Sequence, residues 1–557
     1  MGASPPPAGQ WVFPFDHRHP VPPRELADVL GGKGANLAEM TSVLGLPVPP
    51  GFTITTGACR ARQPPVWPAG LDEEVESAVT ALERRVGRRF GDPVDPLLLS
   101  VRSGARSSMP GMLDTVLDLG LTPAAVDGFA HHVGERCALD SLRRFVRMYS
   151  GVVLGLDPAP FERLEGAALE RAGASGPARL PVAALQELVR GFLEELERAS
   201  GAPLPEPRQQ LRAAIDAVFE SWDGPRARSY RDREGIAHHL GTAVNVQAMV
   251  FGNRDERSGT GVAFSRNPAT GEPRPYGDFL VDAQGEDVVA GTAQTELLDG
   301  LQRRFPDVHA ELVDILGRLE AHYRDLCDTE FTIESGRLWM LQMRVGKRSA
   351  AAAVRIAVDL VGQDGWSITR EEALGRVRPE DLQQLERGSL DRAGEVIAVG
   401  LPASPGAATG SVYLSAASCI EAVDRGEHVL LVRSETSPDD VHGMQVAEGI
   451  LTARGGLVSH AAVVARGWGI PAVVGVEALT IGDGVVTIGG LTVHEGDVLS
   501  IDGATGEVRA GAAGIAPAAQ LPELEILLGW ADDVSGTSSV TDGPADRLAA
   551  AHAALAG

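Results

Sequence analysis

Positive charge is what this chain most lacks: 50 Lys and Arg stand against 75 Asp and Glu, a formal net charge of −25. Such a surplus repels a nucleic-acid backbone or an anionic membrane at long range, so neither is expected as a main partner. Local arginine clusters for a small anion remain compatible with it. Cysteine is also sparse. Cys59, Cys137, Cys327 and Cys419 lie far apart and form no CxxC pair, which argues against a disulfide framework or a structural zinc site and fits a reducing compartment. No run of ~18 apolar residues occurs, and even the apolar region 445–480 is interrupted by Glu448, Arg454, His460 and Arg466. The opening MGASPPPAGQ lacks the basic and apolar regions of a secretory signal, and Pro6 breaks the myristoylation pattern. Together these absences predict a cytoplasmic protein.

With 44% apolar and 22% charged residues, the chain has the hydrophobic surface for a large core. Its 557 residues are about four times the ~150 of a typical domain, so several domains are expected. The 66 glycines and 37 prolines supply many turns and phosphate-sized loops. Residues 1–9 read as a flexible leader and 61–69 as a surface loop. Helix-like patterns dominate from about 73 to 245, and 241–346 shifts to short β-rich runs with glycine turns. Residues 350–395 are again helical and charged, a connector. From 401 to about Ala510, β runs alternate with helices, and an Ala/Gly/Pro-rich tail ends in the helix-like DRLAAAHAALAG. No internal repeat is present.

Four segments have the residue types that phosphate chemistry needs. SGTGVAFSRNP (258–268) reads as a glycine-rich turn leading into a strand, where small residues let backbone N–H groups approach a polyphosphate and Arg266 adds a cation; an ordinary hairpin turn is the alternative. EFTIESGRLWMLQMR (330–344) reads as a β-hairpin. A three-residue turn at Ser335–Arg337 pairs residue i with 672 − i, so that Glu330 faces Gln342 and Asp328 faces Arg344 on a polar face. Phe331, Ile333, Trp339, Leu341 and Met343 then share the apolar face. A two-residue turn places Glu330 and Gln342 on opposite faces. VRSGARSSMPGMLDT (101–115) sets Arg102 and Arg106 four apart among turn residues, suited to anion capture or to a loop salt bridge. In GGLVSHAAVVARGWG (455–469), Ser459 reads as an N-cap and His460 as the first residue of a helix. There the helix terminus favours a negative ligand, and a neutral imidazole can carry a phosphoryl group; a capping or packing histidine is the alternative.

Taken with GGKGANLAEM (31–40), VPPGFTITT (48–56), RRFVRMYSGVV (143–153), AVNVQAMVFGN (243–253), AQGEDVVAGT (283–292), LPASPGAATG (401–410) and ETSPDD (435–440), these segments in their order closely resemble the pyruvate, phosphate dikinase family. The related phosphoenolpyruvate synthases share the plan. The stretch from Arg102 to Thr115 is similar to the dikinase version and GIPAVVG (469–475) to the synthase one, and the two differ in whether phosphate or water takes the second phosphoryl group.

The resemblance implies an α/β multidomain protein: an ATP-grasp domain that clamps Mg-ATP between two lobes, then a swivelling β/α phosphohistidine domain, and no complete TIM barrel. The implied division is a leader at 1–30, the ATP-grasp domain at 31–348 with a helical insertion at about 120–230, a helical connector at 349–395, the phosphohistidine domain at 396–510, and a tail at 511–557 resembling only the start of a barrel, which needs about 250 residues. It further implies that Lys33, Arg102 and Arg344 hold the phosphates, with Arg106, Gln284 and Glu286 also at the nucleotide. Gln247, Met249 and Val250 line the adenine pocket, Ser258, Gly259, Thr260 and Gly261 form a loop over the phosphates, Glu330 and Gln342 hold Mg²⁺, and His460 is the nucleophile. The expected substrates are ATP, phosphate and pyruvate, giving AMP, diphosphate and phosphoenolpyruvate, with a separate barrel protein as a conceivable acceptor partner and an oligomer compatible with the sequence. A non-catalytic ATP-binding phosphocarrier or regulatory module is the rival reading, and phosphorylation of another small molecule, as in the related rifampicin phosphotransferases, ranks below it. Where dikinases have a regulatory threonine two places before the catalytic histidine, this chain has Val458.

Overall fold

The computed structural model describes residues 9–556 apart from 64–65, 108, 110–111, 175, 290–294, 386–388, 392–394, 438–439, 458, 483, 517–520 and 537–542, and apart from the side chains of 178, 233, 286, 289, 384, 389, 515 and 516. It divides into two compact units, 1–258 with 332–343, and 259–331 with 344–557.

The first unit is built on a five-stranded antiparallel sheet in the order Val12–Pro14, Gly51–Ile54, Ala243–Ala248, Leu99–Gly104, Thr115–Leu119. The central strand, AVNVQA, is buried along its whole length, and Val244 and Val246 meet Ile54, Leu99, Val101 and Val116 in one core. Helices cover that core. Val182–Ser200 buries Leu185, Leu188, Val189, Phe192 and Leu196, a spacing of three and four that keeps one stripe inward. Gly201, at φ 78, ends it by donating its N–H to the Glu197 carbonyl. Each such apolar side chain contributes roughly 1.5–3 kcal/mol on burial. Two expectations change here. Val12–Pro14 is the edge strand rather than part of a leader, and the window read as helical from 73 to 245 contains the strands Leu99–Gly104 and Thr115–Leu119.

Among the described residues, the second unit holds a five-stranded sheet, an eight-stranded sheet, two small sheets and a helical layer. The first sheet runs Glu296–Leu297, Tyr276–Val281, Gly259–Phe264, Cys327–Glu334, Arg337–Val345, with the turn end of the last hairpin belonging to the first unit. The second has eight strands in the order Val396–Val399, Glu507–Ala510, Val498–Asp502, Ala407–Tyr413, Val429–Arg433, Gly449–Thr452, Ala472–Val474, Leu401–Ser404. Its central strands are parallel and joined by the short helices Ala416–Asp424, Val441–Val446 and His460–Trp468, while its edges are antiparallel. Separate apolar clusters line its two faces, as expected for a mostly parallel sheet. The tail folds onto the connector: Leu527 and Leu528 of helix Pro522–Ser535 and Leu548 of helix Pro544–Ala556 pack against Ala352, Ile356 and Leu360 of helix Ala350–Val361. Among the described residues no sheet closes into a barrel, and no helix is long and apolar enough to cross a membrane.

Candidate functional site

In the first unit, helix Ala27–Ala38 is broken at Gly31 (φ 66, ψ 163), where a Cβ would overlap the Gly104 carbonyl oxygen. Only glycine fits, and the break starts a new helical segment beside Gly32, whose N–H donates to the Ala105 carbonyl at 3.0 Å, with Lys33 half-buried next to it. A lysine at a helix start is suited to a phosphate. On the neighbouring strand, Arg102 donates from Nη1 to the Leu341 carbonyl and from Nη2 to Gln342 Oε1, both at 3.4 Å, so Arg102 and Gln342 are brought together as one polar patch. Arg106 instead pairs with Asp28 at 2.7 Å with both side chains exposed, the loop salt bridge that its spacing also allowed. Gln247 is buried and donates to the Pro49 carbonyl at 3.0 Å, whereas Met249 and Val250 beyond the strand end are half-buried. Ser258 Oγ donates to Asp255 and accepts from the Ser335 N–H, which leaves it serving its own turn.

The residues expected as a loop over the phosphates are not a loop. Gly259, Thr260 and Gly261 lie in the buried strand Gly259–Phe264, paired along its length with Tyr276–Val281, and Thr260 Oγ1 donates to the Phe331 carbonyl at 3.1 Å. A Cβ on Gly261 would come within 2.6 Å of the Phe331 ring, so here the glycine makes room for a strand contact. The hairpin is also revised. Its turn has two residues, Ser335 and Gly336, both at positive φ (50 and 82), the geometry that follows strand twist. Accordingly Leu338 and Met340, not Trp339 and Leu341, join Phe331 and Ile333 as buried residues. Met343 is also buried, so the alternation slips by one between Met340 and Met343. That slip restores the expected partnership at the open end, where Arg344 Nε donates to Asp328 Oδ2 at 2.6 Å. Burial pushes the Asp328 carboxyl up against the pull of Arg344, while Asp328 raises Arg344 further. Glu330 is half-buried on the same strand as Asp328. Gln284 is buried, its N–H held by Asp287 at 2.9 Å, and the side chain of Glu286 lies outside the described residues.

His460 is the first residue of helix His460–Trp468, as its position after Ser459 predicted. Ser459 sits at the N-cap with extended backbone, but its side chain caps nothing; its buried Oγ has no hydrogen-bond partner among the described residues. The first-turn N–H groups thus have no side-chain cap from Ser459. His460 Nδ1 lies 3.1 Å from Thr436 Oγ1, and its buried Nε2 has no partner among the described residues. Burial holds the imidazole below its ordinary value of 6.5, opposed by the Asp440 carboxylate, so the ring is neutral at pH 7. Between that lowered value and 6.5 the unfolded chain binds a proton that the folded one does not, so the contribution of His460 to stability falls as pH drops through this window. Thr436 and Asp440 escaped the sequence reading as site residues. They belong to ETSPDD, where Ser437 N–H and Oγ both donate to Asp440 Oδ2 (2.9 and 3.2 Å); two short polar side chains three apart are a turn signal that sequence alone does not connect to a histidine 24 residues on.

Residues 426–506, the stretch that contains the His460 helix, match the family model described as PEP-utilising enzyme, mobile domain. Residues 27–63, 66–299 and 305–363 match the model described as Pyruvate phosphate dikinase, AMP/ATP-binding domain. The chain belongs to the pyruvate phosphate dikinase family. It is 48% identical over 550 residues to pyruvate, phosphate dikinase 1, chloroplastic, of Arabidopsis thaliana, covering 97% of this chain and 57% of that protein. Pyruvate, phosphate dikinase of Clostridium symbiosum is 47% identical over 538 residues, 94% of this chain and 60% of its own length, and that of Rhizobium meliloti (strain 1021) is 46% identical over 563 residues, 97% and 62%. The chain thus spans about three-fifths of the length of the curated relatives it matches.

Proposed function

We propose that this chain is a phosphotransferase of the pyruvate, phosphate dikinase type, which uses Mg-ATP to phosphorylate its own His460. The observation that carries this reading is His460 Nε2: a buried, neutral nitrogen with no partner among the described residues, at a helix start whose cap side chain is idle. Leaving such an atom unpaired costs about 1–3 kcal/mol, and an incoming phosphoryl group ends that cost. With Nδ1–H donating to Thr436 Oγ1, the lone pair sits on Nε2. That lone pair forms the N–P bond to the β-phosphorus of ATP as the bond from that phosphorus to the α,β-bridging oxygen breaks, and AMP leaves. Phosphate then takes the terminal phosphoryl group, diphosphate leaves, and His460 is left as phosphohistidine. The first-turn amides, uncapped by Ser459, and the helix terminus lower the energy of the oxygens that gain charge.

Lys33, Arg102 and Arg344 hold the phosphates in this reading, with Glu330 and Gln342 as ligands for magnesium; the slip between Met340 and Met343 puts Gln342 with Arg344 on the face opposite the buried Met343, despite the two-residue turn. Two hard side-chain oxygens fit that ion, which takes one or two protein ligands and completes its shell with phosphate and water. Among the described residues no group of three or more His, Cys, Asp or Glu could hold a metal. Bound there, magnesium neutralises phosphate charge. The five-part domain division, the cytoplasmic location, pyruvate as final acceptor and a separate barrel protein are parts of the same reading. It is tested by incubating the chain with ATP labelled at the β-phosphorus: acid-labile, base-stable label on protein with stoichiometric AMP is expected, and ATP binding without either overturns it.

Two smaller outcomes follow. The labelling rate falls as pH drops, with a midpoint below 6.5, since the ring must lose its proton first; a midpoint above 6.5 contradicts the buried neutral imidazole. Thr436→Val removes the partner of Nδ1; one hydrogen bond of about 1–1.5 kcal/mol corresponds to a roughly tenfold slower labelling, and Thr436→Ser restores it. Equal rates in the two variants contradict the role of the hydroxyl.

A further inference from the structure

Six residues after His460 on the same helix, Arg466 is almost wholly buried, at 3% exposure, within the electrostatic reach of Tyr276, Asp328, Asp278 and Arg344. An apolar side chain packs there without the desolvation that a guanidinium incurs, so the charge needs a reason. Its donors supply one. Nη1 donates to the Ala403 carbonyl at 3.0 Å and Nη2 to the Leu457 carbonyl at 2.6 Å, and the guanidinium lies 5.7 Å from the Phe264 ring centre. Ala403 belongs to the edge strand Leu401–Ser404, and Leu457 to the Gly455–Ser459 turn that delivers His460. The Leu457 N–H in turn donates to Asp278 Oδ2 at 2.6 Å. The peptide planes on both sides of the Leu457 Cα are therefore pinned, in a turn that opens with two glycines and has little stiffness of its own.

We infer that Arg466 is a positioning residue for His460, holding the turn before it by bridging the Leu457 and Ala403 carbonyls. The inference rests on His460 being the nucleophile. The planar fork of an arginine spans two fixed acceptors, whereas a lysine brings one point charge. Arg466 does not touch the reacting atoms, and its charge is not among the groups that shift His460; it acts through backbone geometry. A displacement of about 1 Å in a nucleophile is enough to slow transfer on the order of a hundredfold.

The test uses the full chain with Arg466→Met and Arg466→Lys, read by ATP binding, single-turnover labelling from β-labelled ATP, and the pH profile of that labelling. Both variants are expected to bind ATP within about twofold of the parent and to label ten- to a hundredfold more slowly, with the midpoint of the pH profile unmoved. Labelling at the parent rate overturns the inference. So does slow labelling with the midpoint moved up to 6.5, which signals an unpacked, solvated ring rather than a misdirected one. If Arg466→Met fails to fold, Arg466→Lys keeps the charge and decides. A parent chain that takes no label removes the proposed function itself, whereas a labelled parent with equally fast variants removes the role of Arg466 alone.

Discussion

His460→Ala is expected to reduce labelling from β-labelled ATP to background, at least a thousandfold, while ATP affinity and melting temperature stay near those of the parent chain. The asymmetry follows from what the imidazole touches. It is half-buried, shares a hydrogen bond with Thr436, and begins a helix in which alanine is the best-tolerated residue. Losing it frees one hydroxyl and removes a buried nitrogen that has no partner among the described residues, so the two changes in stability oppose each other within about 1–2 kcal/mol. The residues proposed to hold the phosphates are others: Lys33 and Arg102 in the first unit, Arg344 paired to Asp328 in the second. Binding therefore persists without transfer. Label that survives the substitution at the parent level assigns the nucleophile to another side chain, and loss of ATP binding together with label shows that the variant has lost its fold.

The parts of the site that were legible in the sequence are those fixed by local chemistry. Ser-His after Gly-Gly reads as a helix start, and the helix begins at His460. AVNVQA reads as a strand and is the central one of its sheet. What was not legible depends on partners distant in the chain. SGTG has the composition of a phosphate loop, yet its glycines at 259 and 261 answer to crowding by the Leu280 carbonyl and the Phe331 ring, which a reader of residues 258–268 cannot see. The hairpin shows the same limit more finely. A one-residue difference in turn length changes the facing of every side chain, and the slip between Met340 and Met343 then undoes it for Arg344. The pairing of Asp328 with Arg344 was thus expected on a register that holds at only one end of the ribbon. Thr436, Asp278 and Arg466 were out of reach for a related reason: each acts on the His460 turn through a contact between separate elements. The tail is the opposite case. Its Ala-rich composition gave little to read beyond a helix, and its place was set by Leu527, Leu528 and Leu548, which need the connector helices to cover them.

Gly31→Ala should be the most damaging single methyl group in the first unit. Gly31 sits at φ 66, ψ 163, a region that side-chain-bearing residues occupy at a cost of about 1–3 kcal/mol. Its new Cβ would also overlap the Gly104 carbonyl oxygen, a backbone atom at the end of the strand that carries Arg102. Relief requires the helix start and the strand end to move apart, which breaks the Gly32 to Ala105 hydrogen bond and adds about 1 kcal/mol. The sum is roughly 2–4 kcal/mol, a large part of the 5–15 kcal/mol typical of a folded domain, and lowers the melting temperature of this unit by about 10 °C. Because Lys33 and Arg102 flank the strained contact, ATP affinity falls with it. Gly45→Ala separates the two causes: Gly45 has nearly the same φ, 61, but nothing within 4 Å of its would-be Cβ, so it loses only about 1 kcal/mol and leaves ATP binding intact. Equal losses in the two variants would reduce the role of Gly31 to backbone preference; a loss several-fold larger at Gly31, accompanied by weakened ATP binding, assigns it to the close approach that sets Lys33 beside the arginine-bearing strand.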